Sequence, residues 1–510
     1  MIRYVNWLGT MAEMRLLGRK QAMVNLFGNY SYLVFLAVTG IIMVPLYLHY
    51  IGAELYGGWL ATGNLVNMLS ILDLGLNLIF MQKLSEAYAQ DKVQRFTDLL
   101  SGATTLTLMV FFASLAGGAV FAHYAPGWVK IQGAAATQLK TALMFTASGL
   151  GLSFCVLNLG AAYASLNAPL VPVAASLLGQ IVWIVTTWAG LRMGHGVVAL
   201  GVASALRQLI QLVIALPLFM WVLHKRSLPP LFPRWRRMRE YLHACLPTMS
   251  GRWLGFLANN CQEFVIGAMF SMEATVLFSI TRRLPDLCGS LFGPFGSSVY
   301  PTLSAAAGED WQPRVAIVRK VLSISSFMMA WVLGACVLVN HWFIGMWVGP
   351  QFYGGPWLNI AICVSTFIIS RYGIMNFICL SQGFFAITAF CEILNSVAQL
   401  LLLLTLVAWL GPIGLPLGRS VPLVAGVVYL LPRILRSRLG PHPTVMREGL
   451  GSSVAIFSAA CILSAGLSPQ WSFFAAVVFA GILPFTSANG RSALRQIMER
   501  CAALGRRFKS

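Results

Sequence analysis

Apolar stretches of about twenty residues, the length that a bilayer-crossing helix needs, recur along this chain from Asn25 to Pro484. The gaps between them are alternately basic and nearly free of charge. A chain built this way must put most of its length in hydrocarbon, where only helices or closed barrels satisfy the backbone. Stretches this long and unbroken by alternation predict helices. Of 510 residues, 58% are hydrophobic and only 10% charged, with a mean hydropathy of +0.76. Soluble domains carry roughly 25% charged residues, so too little polar surface is left here for water.

Fourteen spans are predicted, at approximately 26–50, 57–82, 99–122, 139–160, 171–191, 196–223, 246–270, 275–303, 315–339, 357–380, 385–409, 413–431, 450–467 and 471–484. The sign of the loops tests that register. With a cytoplasmic N-terminus, the tails and the loops after even-numbered spans hold 26 of the 35 Lys and Arg residues, in clusters around Arg15–Lys20, Lys83–Arg95, Lys225–Arg239, Arg314–Lys320, Arg433–Arg447 and Arg491–Lys509. The opposite loops hold Lys130, Lys140 and Arg192. Positive residues collect on the cytoplasmic side of membrane proteins, so both termini are expected there. The net charge of +20 follows from this dispersal. No nucleic-acid-binding signature accompanies it, and no nucleic-acid partner is expected.

Residues 1–24 carry Arg3, Arg15, Arg19 and Lys20 without the short apolar core of a removed signal. They read as a short amphipathic cytoplasmic helix. The ten cysteines lie within or beside apolar stretches with no metal-ligand spacing, which suits small packing residues. On the non-cytoplasmic side, 122–138 and 340–356 are expected as loops. Trp342, Phe343, Trp347, Phe352, Tyr353 and Trp357 in and beside the second form an interfacial aromatic belt, or less simply a sugar-stacking surface.

A faint internal repeat divides the chain. Glu54 and Glu273, each between two spans, are 219 positions apart, and Gly196 and Gly414, each opening a span, are 218 apart. Two parallel six-helix lobes follow, at 25–224 and 240–432, joined by a basic cytoplasmic linker at 225–239. Spans thirteen and fourteen with their preceding loop, 433–486, and a basic tail, 487–510, complete the layout.

The N-terminal quarter carries more specific strings. Asn25-Leu26-Phe27-Gly28-Asn29-Tyr30 leads into a span ending Pro45-Leu46-Tyr47-Leu48. Tyr50-Ile51-Gly52-Ala53-Glu54-Leu55-Tyr56-Gly57-Gly58-Trp59 and Leu72-Asp73-Leu74-Gly75-Leu76 follow. Over about 25–91 this resembles the polysaccharide exporters, the O-antigen and capsule repeat-unit flippases of the multidrug/oligosaccharidyl-lipid/polysaccharide superfamily. The resemblance implies an all-α polytopic fold whose two lobes form a V around a cavity lined by spans one, two, seven and eight. It implies alternating access, with a polyprenyl-diphosphate-linked glycan as substrate, in the bacterial inner membrane, among membrane lipids and other polysaccharide assembly proteins.

Charges inside the spans are costly and need partners or a purpose. Span two holds Asp73; span seven holds Arg252 and Glu263; span eight holds Arg282, Arg283 and Asp286. Arg207, Arg371, Glu392 and Arg419 lie in spans six, ten, eleven and twelve. From the turn at Glu273, Glu263 and the Arg282–Arg283 pair each lie roughly 15 Å into adjacent helices. Asp286 stands at i+4 and i+3 from the two arginines. Two readings stay open. The set is a neutralised structural network, or its surplus of two positive charges binds an anionic headgroup, since the planar guanidinium suits phosphate.

On the second reading Arg252, Arg282 and Arg283 contact diphosphate, with Arg207, Asn25 and Asn29 as further substrate residues. Asp73, Glu263 and Asp286 pair with arginine or bind a coupling H+ or Na+; no other cofactor and no metal is expected. The first span lacks the arginine that lipid II flippases carry, which favours a polysaccharide repeat unit. A multidrug cation antiporter of the same superfamily would need an acid-dominated interior. A membrane polymerase or ligase would need a larger outer loop with paired acid/base residues, and the short outer loops hold none, so no catalysis is expected.

Overall fold

The computed structural model describes residues 35, 38–66, 76–90, 92–166, 170–226, 228–229, 258, 260–292, 311–382, 384–434, 450–466, 475–476 and 479. These residues are helical, with short turns and no strand among them. Chain contacts divide the protein into two compact units, Met1–Met249 and Ser250–Ser510.

The first unit contains α1 (Val38–Tyr50), α2 (Ala53–Val66), α3 (Leu76–Ala89), α4 (Val93–Trp128), α5 (Gly133–Ser165), α6 (Leu170–Arg192) and α7 (Val198–Lys225). Small residues let α5 and α7 meet backbone to backbone. A Cβ on Gly201 would stand 2.3 Å from the Ala142 carbonyl oxygen, and one on Gly149 would stand 2.9 Å from the Ala205 nitrogen. Close backbone approach of this kind replaces the hydrophobic drive that lipid cannot supply. The buried rings of Phe80, Phe96, Phe154, Tyr163 and Phe219 fill the remaining space. Tyr163 stacks edge-on against Phe219 at 5.0 Å and donates its hydroxyl to the Ala215 carbonyl at 2.8 Å.

The second unit contains α8 (Gln262–Met269), α9 (Met272–Ser290), α10 (Trp311–Trp347), α11 (Pro356–Ser381), α12 (Phe385–Leu410), α13 (Gly414–Ala425, continued by a π turn over Gly426–Leu430) and α14 (Leu450–Gly466). Its core gathers Leu322, Met329, Leu333, Met375, Ile378 and Leu431. Polar side chains inside these helices are absorbed locally. Thr62, Thr105, Ser114, Ser326 and Thr388 each donate to the carbonyl four residues back, which removes the cost of a lone hydroxyl in hydrocarbon.

The internal repeat is visible in the order of elements. Ala53 and Met272 start corresponding helices 219 positions apart. Val93 and Trp311, Gly133 and Pro356, Leu170 and Phe385, and Val198 and Gly414 follow at 218, 223, 215 and 216. Among the described residues, seven helices are long and apolar enough to cross a bilayer. One of them, Ile387–Ile434, is a hairpin. Gly411 turns it at φ +63°, and the backbones of Gly418 and Leu403 then touch, so the stretch supplies two crossings. The described residues are those of a multi-pass membrane protein.

Two expected loops are mostly helix. Residues 122–138 shrink to the turn between Trp128 and Gly133, and 340–356 to the turn after Trp347. Hydropathy marks only the hydrocarbon-facing part of a helix, whereas α4 and α10 continue beyond it. Asn340, expected in the loop, is fully buried. The aromatic residues expected there do gather at this end: His341 stacks on Tyr353 at 4.2 Å and Phe343 on Trp347 at 5.3 Å.

Candidate functional site

Ser271 accepts a hydrogen bond from the Ala274 amide at 3.0 Å and so caps the start of α9. The chain therefore reverses sharply after α8. Residues a similar distance before and after that turn come side by side, and this brings Gln262 and Glu263 of α8 to Arg282 of α9. Arg282 Nη1 lies 3.2 Å from Glu263 Oε1 and 3.2 Å from Gln262 Oε1, and its Nε donates to Asp286 Oδ2 at 2.6 Å. Glu263 and Gln262 are buried, 7% and 1% exposed, while Asp286 opens to the surface. Arg282 also lies over the Phe278 ring at 5.9 Å. Pairing on two sides offsets the desolvation that an isolated guanidinium would suffer here.

Pro285 sits inside α9, one position before Asp286. Having no N–H, it leaves the Thr281 carbonyl without its helical donor. Asn340 Nδ2 of α10 fills the gap at 2.8 Å and also reaches Asn359 Oδ1 of α11 at 2.7 Å. Asn359 in turn donates to the Val337 carbonyl at 2.9 Å. The helix that carries the ion pair is thus anchored to α10 just before its proline, and α10 in turn to α11.

Beside this cluster lies a small cleft among α8, α9, α11 and α13, lined by Gln262, Arg282, Asp286, Ser365, Thr366 and Arg419, among others. The cleft is small, about 10 Å3, room for about one water. Arg419 shares the electrostatic neighbourhood of Arg282, Asp286 and Glu263. Its Nε is shielded from solvent and has no hydrogen-bond partner, and the same is true of Gln262 Nε2. A buried donor left unpaired costs about 1–3 kcal/mol. Two such donors in one cleft mark it off from the compensated network next to it.

The expected site residues separate accordingly. Glu263, Arg282 and Asp286 come together. Arg283 does not join them: it is exposed, and among the described residues no ion pair or hydrogen bond holds it. The expected pairing of Asp286 with both arginines is corrected to Arg282 alone, because Arg283 lies about 100° further around the helix. Arg207 is in α7 of the first unit, half-buried, and is no part of this cluster. Asn25, Asn29, Asp73 and Arg252 lie outside the described residues. Arg371, only 1% exposed, donates to the Leu322 carbonyl and to the Ser326 hydroxyl and is a packing group. Glu392 accepts from Asn376 Nδ2 at 2.7 Å. Gln262 was overlooked at the sequence level. Arg419 showed there only as one more buried charge, since nothing in its spacing tells that it joins this cluster.

The first unit offers a different cavity, about 180 Å3, between α3, α4, α5 and α7, with Leu84, Thr104, Leu108, Cys155, Asn158 and Leu216 in its lining. No charged residue lines it. It suits an apolar group and not a phosphate.

These helices define the class: an all-α, multi-pass membrane fold. The chain is similar in structure to "Lipid II flippase MurJ, inward closed conformation", with a TM-score of 0.67 and 13% identity over 93% of this chain and 99% of that one. It is also similar to an inward-facing multidrug resistance MATE family transporter of the MOP superfamily (TM-score 0.63, 12% identity, 84% and 98% covered). The eukaryotic MATE transporter AtDTX14 matches with a TM-score of 0.59 at 14% identity, over 84% and 95%. At such identities the likeness is one of fold. Residues 138–359 match the family described as "Polysaccharide biosynthesis protein", and this match and the fold together support the polysaccharide-exporter resemblance read from the N-terminal strings. No curated protein matches the chain.

Proposed function

We propose that the protein is a flippase that carries a polyprenyl-diphosphate-linked oligosaccharide repeat unit across the bacterial inner membrane for surface polysaccharide assembly. The polysaccharide-biosynthesis match over 138–359, on a multi-pass fold shared with MurJ, carries this reading. The physical task is to pass a hydrated sugar and a diphosphate through oil while the polyprenyl tail stays in lipid. It needs binding and rearrangement, and no bond is made or broken. The charge inventory agrees. Arg282 and Arg419 share one cluster with the carboxylates of Glu263 and Asp286, which is not the acid-dominated interior that a cationic cargo would need.

The MATE-like fold keeps a second reading in view, export of organic cations, for which a cluster holding two arginines is a poor lining. A deletion strain tests the first. Lipid-linked repeat units should accumulate on the cytoplasmic leaflet, surface glycan should fall, and the wild-type gene should restore both. Normal surface glycan without accumulated precursor would defeat the proposal. Tighter binding of organic cations than of lipid-linked sugars by the purified protein would instead select the second reading.

A further inference from the structure

The cavity of the first unit, about 180 Å3, exceeds the roughly 150 Å3 of an apolar cavity that holds a benzene ring. Leu108 of α4 and Leu216 of α7 line it and are nevertheless 38% and 39% exposed. It therefore opens on the outer surface between α4 and α7. The surface beside that mouth is apolar and exposed too, at Met109, Phe112 and Val213, and in a membrane protein such a surface meets lipid chains. The polar groups of the lining are mostly spent. Thr104 and Thr107 donate to the Leu100 and Ala103 carbonyls at 2.8 Å each, and Asn158 Nδ2 donates to the Phe154 carbonyl at 3.0 Å. Asn158 Oδ1 is left over as an acceptor.

The helix faces that line the cavity run on, turn by turn, to one charged end. On α7 Phe219 continues through Leu223 to Arg226, on α4 Leu100 leads back through Phe96 to Lys92, and on α3 Leu84 leads to Tyr88, all in helical steps of three or four residues. There Arg226 Nη1 donates to the Tyr88 hydroxyl at 2.6 Å. The Lys92 amide donates to the carbonyl of Ala87, the neighbour of Tyr88, at 3.1 Å. Tyr88 is neutral, so its bond leaves the Arg226 charge in place. No side chain caps α4 at Lys92, and the free amides of its first turn add to the positive field. Lys83, Arg95 and Lys225 share this end with only Glu86 and Asp98. Arg226, Lys92 and Tyr88 are all exposed. The helix between Leu216 and Arg226 is roughly 15 Å long, half of the ~30 Å of a bilayer's hydrocarbon. A cationic rim and an apolar cavity are thus one leaflet's depth apart on the same helix faces.

We infer that the first unit binds one anionic phospholipid of the surrounding bilayer, with its phosphate at Arg226 and Lys92 and one acyl chain in the cavity between α4 and α7. Basic groups at a membrane surface attract anionic lipid, and the apolar lining suits a chain. A polyprenyl carrier is also an anionic lipid. The mouth, however, opens on bulk lipid, and by mass action the commonest chain there fills it. This site is separate from the charge cluster of the second unit and does not depend on which solute the protein carries.

Full-length protein purified in detergent provides the test, with dioleoyl phosphatidylglycerol as the probe and dioleoyl phosphatidylcholine as the neutral reference. Native mass spectrometry should show one phosphatidylglycerol held more tightly than the reference lipid. Arg226→Ala should weaken phosphatidylglycerol about fivefold and Lys92→Ala by a similar factor, with phosphatidylcholine unchanged by either. Cys155→Phe fills the cavity and should weaken both lipids alike. Asn158→Leu keeps the shape of the lining and removes its spare acceptor, so phosphatidylglycerol should bind as well as before or better. Equal binding of the two lipids by the wild type overturns the inference. So does phosphatidylglycerol binding that Arg226→Ala and Cys155→Phe leave unchanged, or that Asn158→Leu abolishes, which would mark a hydroxylated occupant. Displacement of phosphatidylglycerol by an equimolar polyprenyl phosphate would hand the site to the carrier and overturn it as well.

Discussion

Asn340 donates to the Thr281 carbonyl at 2.8 Å, the carbonyl that Pro285 leaves without an amide. A side chain of α10 thus completes the backbone of α9. Replacing it should be expensive: Asn340→Leu leaves a buried carbonyl and the Asn359 amide oxygen unpaired, a loss of about 1–3 kcal/mol for each such group. Thermal unfolding in detergent reads this directly. Pro285→Ala restores an N–H to Thr281, so the double variant should lose clearly less than the two single losses added together. Simple additivity would show that the two residues do not share that carbonyl.

Arg282 stands between Glu263 and Asp286. Arg282→Met strands two carboxylates, one of them buried, and should cost about 3–5 kcal/mol of stability. Glu263→Gln keeps an acceptor at the same place and should cost less. An unfolding temperature for Arg282→Met equal to that of the wild type would show the network to be idle.

Two arginines of similar sequence context should behave oppositely. Arg371 is buried and bonded into α10, so Arg371→Met should lower the yield of folded protein. Arg283 is exposed, so Arg283→Met should stay within about 0.5 kcal/mol of the wild type. Size-exclusion profiles and thermal unfolding of the two variants, made side by side, decide this.

Gly201 lies where a Cβ would meet the Ala142 backbone, while Gly160 has nothing within 4 Å. Gly201→Ala should therefore cost about 1–3 kcal/mol through overpacking. Gly160→Ala should be neutral or up to about 1 kcal/mol stabilising, as in an ordinary helix. A smaller loss at Gly201 than at Gly160 would contradict the close α5–α7 contact.

Orientation is testable at the two ends of α4. In a cysteine-free background, Lys130→Cys should react with a membrane-impermeant maleimide in intact cells. Lys92→Cys should react only after the inner membrane is opened. The reverse pattern would invert the topology read from the basic loops.

Much of the fold was legible because burial in lipid forces long apolar runs into helices. Span five, expected at 171–191, is the helix Leu170–Arg192, and span ten, expected at 357–380, is Pro356–Ser381. The ends of α4 and α10 were not legible, since a helix can run past the hydrocarbon on residues whose polarity resembles that of a loop. The pairing of Glu263 with Arg282 followed from equal depth on either side of the Glu273 turn. Its asymmetry did not follow. Arg282 and Arg283 are neighbours in sequence with the same chemistry, and only rotation about the helix axis separates the buried one from the exposed one. Arg419 was hidden for a related reason. Whether a buried charge has a partner depends on three other helices, and no local pattern records that.

The α12–α13 hairpin gives Arg419 a further property. Gly418, the residue before it, touches the Leu403 backbone, and Gly414 sits against the Leu406 carbonyl. With no side chain between them, the two backbones meet directly. Any side chain added at either glycine would have to push the hairpin apart, and Arg419 would move with it.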